Sequence, residues 1–282
     1  MPPLQPGLAA RSGFLLLAVW VGGLGWTAAA QEKQAEAKTK SKPDRAARQK
    51  SRPAQRTRAR RDPPGFYLGR PIADVMSWQG AGWLFRQTRI QEEQPEAMLD
   101  ALKIKRGATV ADVGAGAGYH SIRMARRVGP EGKVLATDLQ PEMLQFLRQN
   151  AQFAGVTNIK PILATQDDPK LPEGKIDLIL MVDVYHECNN PAVFLQALKK
   201  ALRPGGRLVL VEFRGEDPTV PIKPEHKMTL KQVRREVEPQ GLAFKTSLEF
   251  LPWQHVIIFE KPAVDEEKVA ADPPAKKASP MP

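Results

Sequence analysis

Cysteine is nearly absent from this chain of 282 residues, in which Cys188 is the single example. A lone cysteine cannot form a disulfide within the chain, and it cannot build a cysteine-based metal cluster. The sequence therefore predicts no metal site. The lack of disulfides does not define a compartment, because an exported protein can do without them.

A hydrophobic run long enough to cross a bilayer is also missing. The most apolar segment is Phe14–Trp26, and as a helix its 13 residues span roughly 20 Å, short of a hydrocarbon core of roughly 30 Å. Arg11 precedes this run and three alanines at 28–30 follow it, an order that is typical of a secretory signal peptide. We predict that residues 1–30 are a cleaved signal peptide or an uncleaved anchor, with membrane association through residues 12–30. The protein would then be exported or anchored rather than cytoplasmic.

Acidic residues are scarce in the N-terminal part of the chain but not in the rest of it. Residues 1–62 contain 13 Lys and Arg against 4 Asp and Glu, whereas the other 220 residues contain 29 against 27. The basic excess therefore belongs to residues 1–62. Such a segment can contact phosphate or anionic lipid, but its composition is typical of a solvated spacer. We predict a disordered linker at 31–62, a folded domain at 63–262 and a disordered tail at 263–282.

Within the predicted domain, apolar runs alternate with helical patterns. The strand candidates are Thr109–Val113, Lys133–Ala136, Ile159–Ala164, Ile176–Val182 and Arg207–Phe213. The helical patterns cover about 119–128, 141–153, 191–203 and 229–240. This alternation predicts an α/β fold with a parallel sheet and helices on both faces. The stretches "AFKTSLEF" and "WQHVIIFE" follow the last helix and predict an antiparallel pair of strands at one edge.

The stretch "VADVGAGAGY" places three glycines, Gly114, Gly116 and Gly118, between a strand and a helix. Glycines there let a ligand approach the backbone closely. The dinucleotide fingerprint G-x-G-x-x-G is absent, because Tyr119 stands where its third glycine would be. Asp112, just before the loop, would repel a pyrophosphate and favour a cationic ligand. The spacing therefore disfavours a nicotinamide-dependent oxidoreductase.

Two acidic residues follow the ends of the next two predicted strands. Asp138 lies about twenty residues after the glycine loop, where a carboxylate accepts hydrogen bonds from ribose hydroxyls. Asp167, in "ATQDDPKLP", is placed to accept a hydrogen bond from an exocyclic amine. Together with the glycine loop, the two acids predict a nucleoside-containing ligand at this edge of the sheet.

These motifs, with "IDLILMVDVYHE" and "LRPGGRLVLVE", resemble those of the class I S-adenosylmethionine-dependent methyltransferases over about residues 90–260. The variant "DVYHE", with "VPIKPEHKM" and "LPWQHVIIF", is most similar to bacterial methyltransferase-domain proteins and more distantly to the C-methyltransferases of quinone biosynthesis. The resemblance implies a Rossmann-like, doubly wound sheet of seven strands, mostly parallel with an antiparallel last strand. It also implies S-adenosyl-L-methionine as the cofactor.

The resemblance further implies which residues bind that cofactor. The glycines would line its methionine portion, Asp138 would accept from the ribose, Leu139 would pack on adenine, and Asp183 would lie near the methyl group. The full predicted set is Asp112, Gly114, Gly116, Gly118, Tyr119, Asp138, Leu139, Gln166, Asp167 and Asp183.

Four further residues are predicted on the acceptor side. A methyl carbon on a sulfonium is already activated, so the protein mainly positions the acceptor and removes its proton. His186 follows the fourth strand and is predicted as the catalytic base or orienting group, with Glu187 beside it. His226 and Glu212 are predicted to line the substrate pocket.

The sequence therefore predicts a methyltransferase that acts on a small molecule which it does not identify. An exported cofactor-binding or interaction protein with little turnover is the alternative, because the cofactor is made in the cytoplasm while residues 1–30 indicate export. A nucleic-acid methyltransferase ranks last, since the Asn/Asp-Pro-Pro-aromatic signature of base-methylating enzymes is absent.

Overall fold

The computed structural model describes residues 62–263. The predicted signal peptide or anchor falls outside the described residues, as does nearly all of the predicted linker and tail. Within residues 62–263, no helix combines the length and the apolar character that crossing a membrane requires.

A twisted central sheet forms the middle layer of the described chain. Its seven main strands are β1 (Thr109–Val113), β2 (Lys133–Asp138), β3 (Ile159–Leu163), β4 (Ile176–Val182), β5 (Leu202–Arg214), β6 (Ala243–Leu248) and β7 (Gln254–Glu260). They lie in the order β3-β2-β1-β4-β5-β7-β6, and a two-residue strand, Lys227–Met228, also pairs with β5. Strands β1 to β5 pair in parallel, while β7 is antiparallel to both of its neighbours. The predicted Rossmann-like sheet with an antiparallel last strand is confirmed.

Helices cover both faces of this sheet. They are α1 (Arg89–Glu93), α2 (Pro95–Ala101), α3 (Tyr119–Val128), α4 (Pro141–Phe153), α5 (Pro191–Ala201) and α6 (Leu230–Val237). Short 3-10 segments occur at Trp78–Phe85, Tyr185–Glu187, Pro224–His226 and Glu238–Gln240. A small hairpin, Phe66–Tyr67 with Arg70–Pro71, and the first 3-10 segment precede the domain core. We call residues 62–88 the leading segment.

The central strands are apolar along their whole length because both of their faces are covered. In β4, Ile179 and Met181 pack with α5 and α6 on one face, while Leu178 and Leu180 pack with α2 and α3 on the other. Successive side chains of a strand point to opposite faces, so this single run contributes to two cores. That double burial explains why the sequence shows a continuous apolar run here.

Strand β5 begins earlier than predicted, at Leu202 rather than Arg207. The intervening "RPGG" contains proline and glycine, which are turn signals. In the structure this stretch is nevertheless held as a strand, because Leu202 pairs with Ile176, and Gly205 and Gly206 exchange backbone hydrogen bonds with Lys261. Long-range pairing therefore overrides the local preference.

The strand order reverses between β1 and β4, and ligands bind beside such a reversal in open α/β sheets. The glycine loop leaves β1 at this point, and the turn containing His186 leaves β4 next to it. The fold thus brings the predicted cofactor-binding loop and the predicted acceptor side to one edge.

Candidate functional site

A cavity of about 550 Å³ lies at the carboxyl ends of the parallel strands. Its wall contains the glycine loop, the end of β2, the turn after β4, and the leading-segment residues Trp83 and Leu84. This volume falls in the range of about 300–1,000 Å³ that is usual for small-molecule and cofactor sites. The cavity is therefore the candidate active site.

The glycine loop forms one wall through bare backbone. Gly114 and Gly116 line the cavity and have φ values of 72° and 53°, a left-handed conformation that favours glycine. A Cβ on Gly114 would lie 2.5 Å from Val184 Cγ2, and one on Gly116 would lie 2.7 Å from Leu84 Cδ1. Gly118 lies outside the cavity wall, at the start of α3. The loop thus needs glycine both for its conformation and for close packing.

Asp138 ends β2 beside this loop and lines the cavity. Its Oδ2 accepts the Gly116 N–H at 2.8 Å, and its Oδ1 accepts the Gln140 N–H at 2.9 Å. Burial raises the pKa of the carboxyl group, and these backbone hydrogen bonds oppose that shift. Each oxygen keeps a further lone pair, so the carboxylate can also accept hydroxyl groups of a ligand.

Two predicted cofactor residues that flank the glycine loop in the sequence are buried. Asp112 is buried and accepts a hydrogen bond of 2.6 Å from Ser121 Oγ. Burial raises the pKa of Asp112 to about 6, and the charge of Asp138 adds to the effect. Tyr119 is buried between two guanidinium groups, with Arg123 3.8 Å and Arg89 4.2 Å from the ring centre. Both residues lie outside the cavity wall, so their direct contact with a cofactor stays a prediction.

Of the residues predicted to contact the adenine, some line the cavity and one does not. Leu139 and Gln166 line the cavity, whereas Asp167 is exposed and borders a different surface depression beside α5. The chain turns tightly here, since the backbones of Thr165 and Asp168 bond to each other in both directions. The turn separates neighbouring side chains, so Gln166 is better placed than Asp167 for the adenine contact, which itself stays a prediction.

Asp183 follows β4 and lines the cavity between the two sides. Its φ of 54° is unusual for a residue other than glycine, and such conformations occur often at functional sites. Both carboxylate oxygens accept from Gln254 Nε2, at 2.9 and 2.7 Å. Burial holds the pKa of Asp183 well above its usual value, with the charges of Glu93 and Glu212 adding to that effect.

The acceptor side contains four residues that we call the histidine cluster: His186, Glu187, Glu212 and His226. His186 Nδ1 lies 2.6 Å from Glu212 Oε2, and His186 Nε2 lies 3.0 Å from His226 Nδ1. Glu212 is fully buried, and its other oxygen accepts the Tyr185 N–H at 2.9 Å. Three members line the cavity, while Glu212 lies behind them and orients His186. The structure thus brings together all four residues predicted for the acceptor side.

Glu212 controls the electrostatics of this cluster. Burial alone would lower the pKa of His186, but the adjacent carboxylate outweighs burial and raises it. Burial, followed by the charge of His186, lowers the pKa of His226. Burial raises the pKa of Glu187 to about 7, against the influence of His186 and with that of Glu212. A proton on Nδ1 of His186, bonded to Glu212, would leave a lone pair on Nε2. Nε2 is the ring nitrogen that faces His226.

A buried ion pair supports the cluster, and no sequence motif indicated it. Arg70 donates two hydrogen bonds to Glu236, at 2.7 and 3.0 Å, and a third to the His186 carbonyl at 3.0 Å. The Tyr185 hydroxyl donates to Glu236 at 2.8 Å. The leading segment and α6 are therefore both tied to the turn that presents His186. The remaining histidines, His120 and His255, are buried outside the cavity wall.

The chain is similar in sequence to several known methyltransferases. Residues 104–255 match the model of a methyltransferase-domain family. The protein-L-isoaspartate O-methyltransferase of Methanothrix thermoacetophila is 34% identical over 113 residues, or 40% of this chain and 51% of that protein. The ubiquinone/menaquinone biosynthesis C-methyltransferase UbiE of Hahella chejuensis is 31% identical over 125 residues, or 44% and 49%. The chain spans about half the length of these curated relatives.

Solved structures give the same result for the fold. A SAM-dependent methyltransferase from Aquifex aeolicus superposes with a TM-score of 0.63 at 26% identity, covering 66% of this chain and all of that one. The cyclase SpnF superposes with a TM-score of 0.53 at 12% identity, over 61% of this chain and 80% of that one. The second match shares the fold alone, which shows that this architecture does not define the reaction.

Proposed function

This chain belongs to the methyltransferase-domain family, and from that membership we propose that it transfers the methyl group of S-adenosylmethionine to a small-molecule acceptor. One observation carries the proposal: a single cavity wall joins the glycine loop and Asp138 to the histidine cluster. The bound cofactor supplies a methyl carbon that is already activated by a sulfonium. The protein contributes binding, alignment and proton removal.

The residues on the donor side fit this cofactor. Gly114 and Gly116 line the cavity in a left-handed conformation and would border the methionine portion of the cofactor. The Asp138 carboxylate would accept the ribose hydroxyls, while Leu139 and Gln166 would contact the adenine. Asp183, held by Gln254, would lie near the methionine portion. We call these residues the donor half of the cavity.

On the other side, the histidine cluster would receive the acceptor. His186 Nε2 is placed to accept a proton from the acceptor, because Glu212 occupies Nδ1 and would stabilise the resulting imidazolium. General base catalysis of this kind contributes about 10²- to 10⁴-fold to a rate. Glu187 and His226 lie beside Nε2 and would position the acceptor. We use the name acceptor half for the histidine cluster and the cavity wall around it.

The leading segment favours a small acceptor over a macromolecule. Met76, Trp83 and Leu84 line the cavity, and Gln140 ties this segment to the start of α4 by hydrogen bonds to the Met76 carbonyl and the Trp78 N–H. A wall of this kind would limit the room that a macromolecular acceptor has at the reacting atoms. The two relatives named above differ in the acceptor that their names describe, so their names do not choose an acceptor for this chain.

The proposal is tested with the purified full-length chain. Isothermal titration with S-adenosylmethionine should show one site per chain, and the same titration with NAD should show none. The protein is then incubated with S-adenosylmethionine and a panel of hydroquinone, catechol, 2-mercaptoethanol and an isoaspartyl peptide, with S-adenosylhomocysteine release as the readout. Release with a small acceptor supports the proposal. Failure to bind S-adenosylmethionine at millimolar concentration would overturn it, and release with the peptide alone would overturn the small-molecule acceptor.

A further inference from the structure

Three side chains of the histidine cluster present ligand atoms to one point. One ring nitrogen of His186, one of His226 and a Glu187 carboxylate oxygen all lie within 4.8 Å of one another, and His186 Nε2 lies 3.0 Å from His226 Nδ1. Two imidazole nitrogens and a carboxylate are a donor set that binds zinc and other divalent transition metals. Ligand atoms about 2.0–2.1 Å from a tetrahedral ion lie about 3.3 Å apart, close to the 3.0 Å between the two nitrogens.

The surroundings of His186 supply a second, independent observation. Metal-bound histidines usually donate their other ring N–H to a carboxylate, which orients the ring. His186 has this arrangement, since its Nδ1 lies 2.6 Å from Glu212, whose side chain is fully buried. The proton on Nδ1 leaves a lone pair on Nε2, the atom that faces His226 and Glu187. The Glu212 carboxylate favours a proton on Nδ1, and this is the tautomer that leaves Nε2 able to bind a metal ion.

The position of the three groups also fits a catalytic rather than a structural metal site. All three line the cavity, and each lies on or beside a short 3-10 turn that is anchored to the sheet or to α6. Catalytic zinc sites use three protein ligands and leave a further position for water or substrate. Here that position would face the space proposed for the acceptor.

We propose that His186 Nε2, Glu187 and His226 Nδ1 bind one divalent transition-metal ion, and that the acceptor is a molecule that ligates this ion through oxygen or sulfur. The acceptor clause rests on the proposed function, whereas metal binding does not. A divalent cation stabilises the anionic form of a hydroxyl or thiol ligand. In the metal-bound protein His186 would be a ligand rather than the base. The ion would lower the pKa of the ligated hydroxyl or thiol, whose proton would pass to solvent when the acceptor binds.

Metal binding is measured on the untagged full-length chain after treatment with EDTA and dialysis. Titration with Zn²⁺ in a calorimeter and with Co²⁺ by visible absorption should saturate at one ion per chain. The variants His226→Ala and Glu187→Gln are only partly buried, so both should fold. Each should weaken Zn²⁺ binding at least tenfold, and Glu212→Gln should weaken it about 10- to 100-fold. His120→Gln alters a buried histidine outside the cavity wall and should bind Zn²⁺ like the unaltered chain.

Two results would overturn the inference: no saturable Zn²⁺ or Co²⁺ binding by the unaltered chain, or unchanged binding by both His226→Ala and Glu187→Gln. S-adenosylmethionine binding is measured on the same preparations, which separates the two hypotheses. A chain that binds Zn²⁺ but not the cofactor contradicts the proposed function and supports the metal site. A chain that binds the cofactor and releases S-adenosylhomocysteine equally well with and without EDTA contradicts the metal role in acceptor binding.

Discussion

The two halves of the cavity are built on different physical bases. In the donor half, Asp138 is held by backbone N–H groups, and its partner Gly116 is 22 residues away in the chain. In the acceptor half, the His186 imidazole is held by the side chains of Glu212 and His226, which are 26 and 40 residues away. The glycine loop and Asp138 are therefore built within one β1–α3–β2 unit. The acceptor half, like Asp183 with its partner Gln254, exists only when distant elements have packed.

This difference has an energetic consequence. A site made of backbone tolerates changes in most of its side chains but not in its glycines, because the bare backbone is the binding surface. A site made of buried side chains is interdependent, since removing one member leaves its partner buried without a hydrogen bond. Changes in the donor half should therefore appear mainly in cofactor affinity, and changes in the acceptor half mainly in turnover.

The substitution with the largest expected effect disrupts the acceptor half and leaves the donor half unchanged. His186→Ala should reduce S-adenosylhomocysteine release about 10²- to 10⁴-fold with the best acceptor of the panel, because it removes the group nearest the acceptor. Calorimetric affinity for S-adenosylmethionine should stay within twofold. His120→Gln, which alters a buried histidine outside the cavity wall, serves as the matched control and should retain turnover. If cofactor affinity falls with turnover in His186→Ala, the two halves are not separable.

A second test concerns the charge beneath the donor half. The pKa of Asp112 is about 6 in the folded chain and 3.8 as an isolated group. Between pH 3.8 and about 6 the folded chain therefore keeps a proton on Asp112 that the unfolded chain has lost. Stability from this group is complete below about pH 4 and is lost as the pH rises through about 6, by about 3 kcal/mol. Asp112→Asn should remove this pH dependence. Urea unfolding at about pH 4 and pH 7 measures the free energy of unfolding of the unaltered chain and of Asp112→Asn. The same change in that free energy with pH for both proteins would contradict the shift in the Asp112 pKa.

Asp138→Asn tests the donor half directly. The amide keeps the shape of the carboxylate but has one oxygen in place of two. With that oxygen held by the Gly116 or Gln140 N–H, the side chain would lose a charge-assisted hydrogen bond to the ribose hydroxyls. Loss of a charged hydrogen bond costs about 1.5–3 kcal/mol, which corresponds to about 10- to 150-fold weaker S-adenosylmethionine binding. Calorimetry measures this value, and turnover at saturating cofactor should change less. Unchanged affinity would remove Asp138 from the donor half.

The same contrast explains what the sequence could predict. Strands β1 and β4 and helices α3 and α4 have their predicted bounds, because their patterns are local and their ends carry glycine or proline signals. The start of β5 was missed, since pairing with distant residues made a strand of "RPGG". His186, Glu187, Glu212 and His226 were each identified singly, but their hydrogen bonds to one another were not.

The side chains that support His186 in the acceptor half and Asp183 in the donor half had no signal in the sequence. Arg70 and Glu236 are 166 residues apart and look like ordinary surface charges in the sequence. Gln254 is part of an apolar strand pattern, and nothing local indicates that it holds Asp183. Partners of this kind follow from the strand order and the packing of the leading segment, neither of which a motif contains.

The smallest expected effect sharpens the boundary of the donor half, at two neighbouring residues. Gln166 lines the cavity and Asp167 borders another depression, so Gln166→Ala should weaken S-adenosylmethionine binding a few-fold, by about 0.5–1.5 kcal/mol, while Asp167→Ala should leave it unchanged. Calorimetry on the two variants compares them under identical conditions. The opposite ranking would mean that the turn at 165–168 rearranges when the cofactor binds. In that case the donor half would be preformed from the glycine loop to Asp138. The residues predicted to contact the adenine would take their final positions only when the cofactor binds.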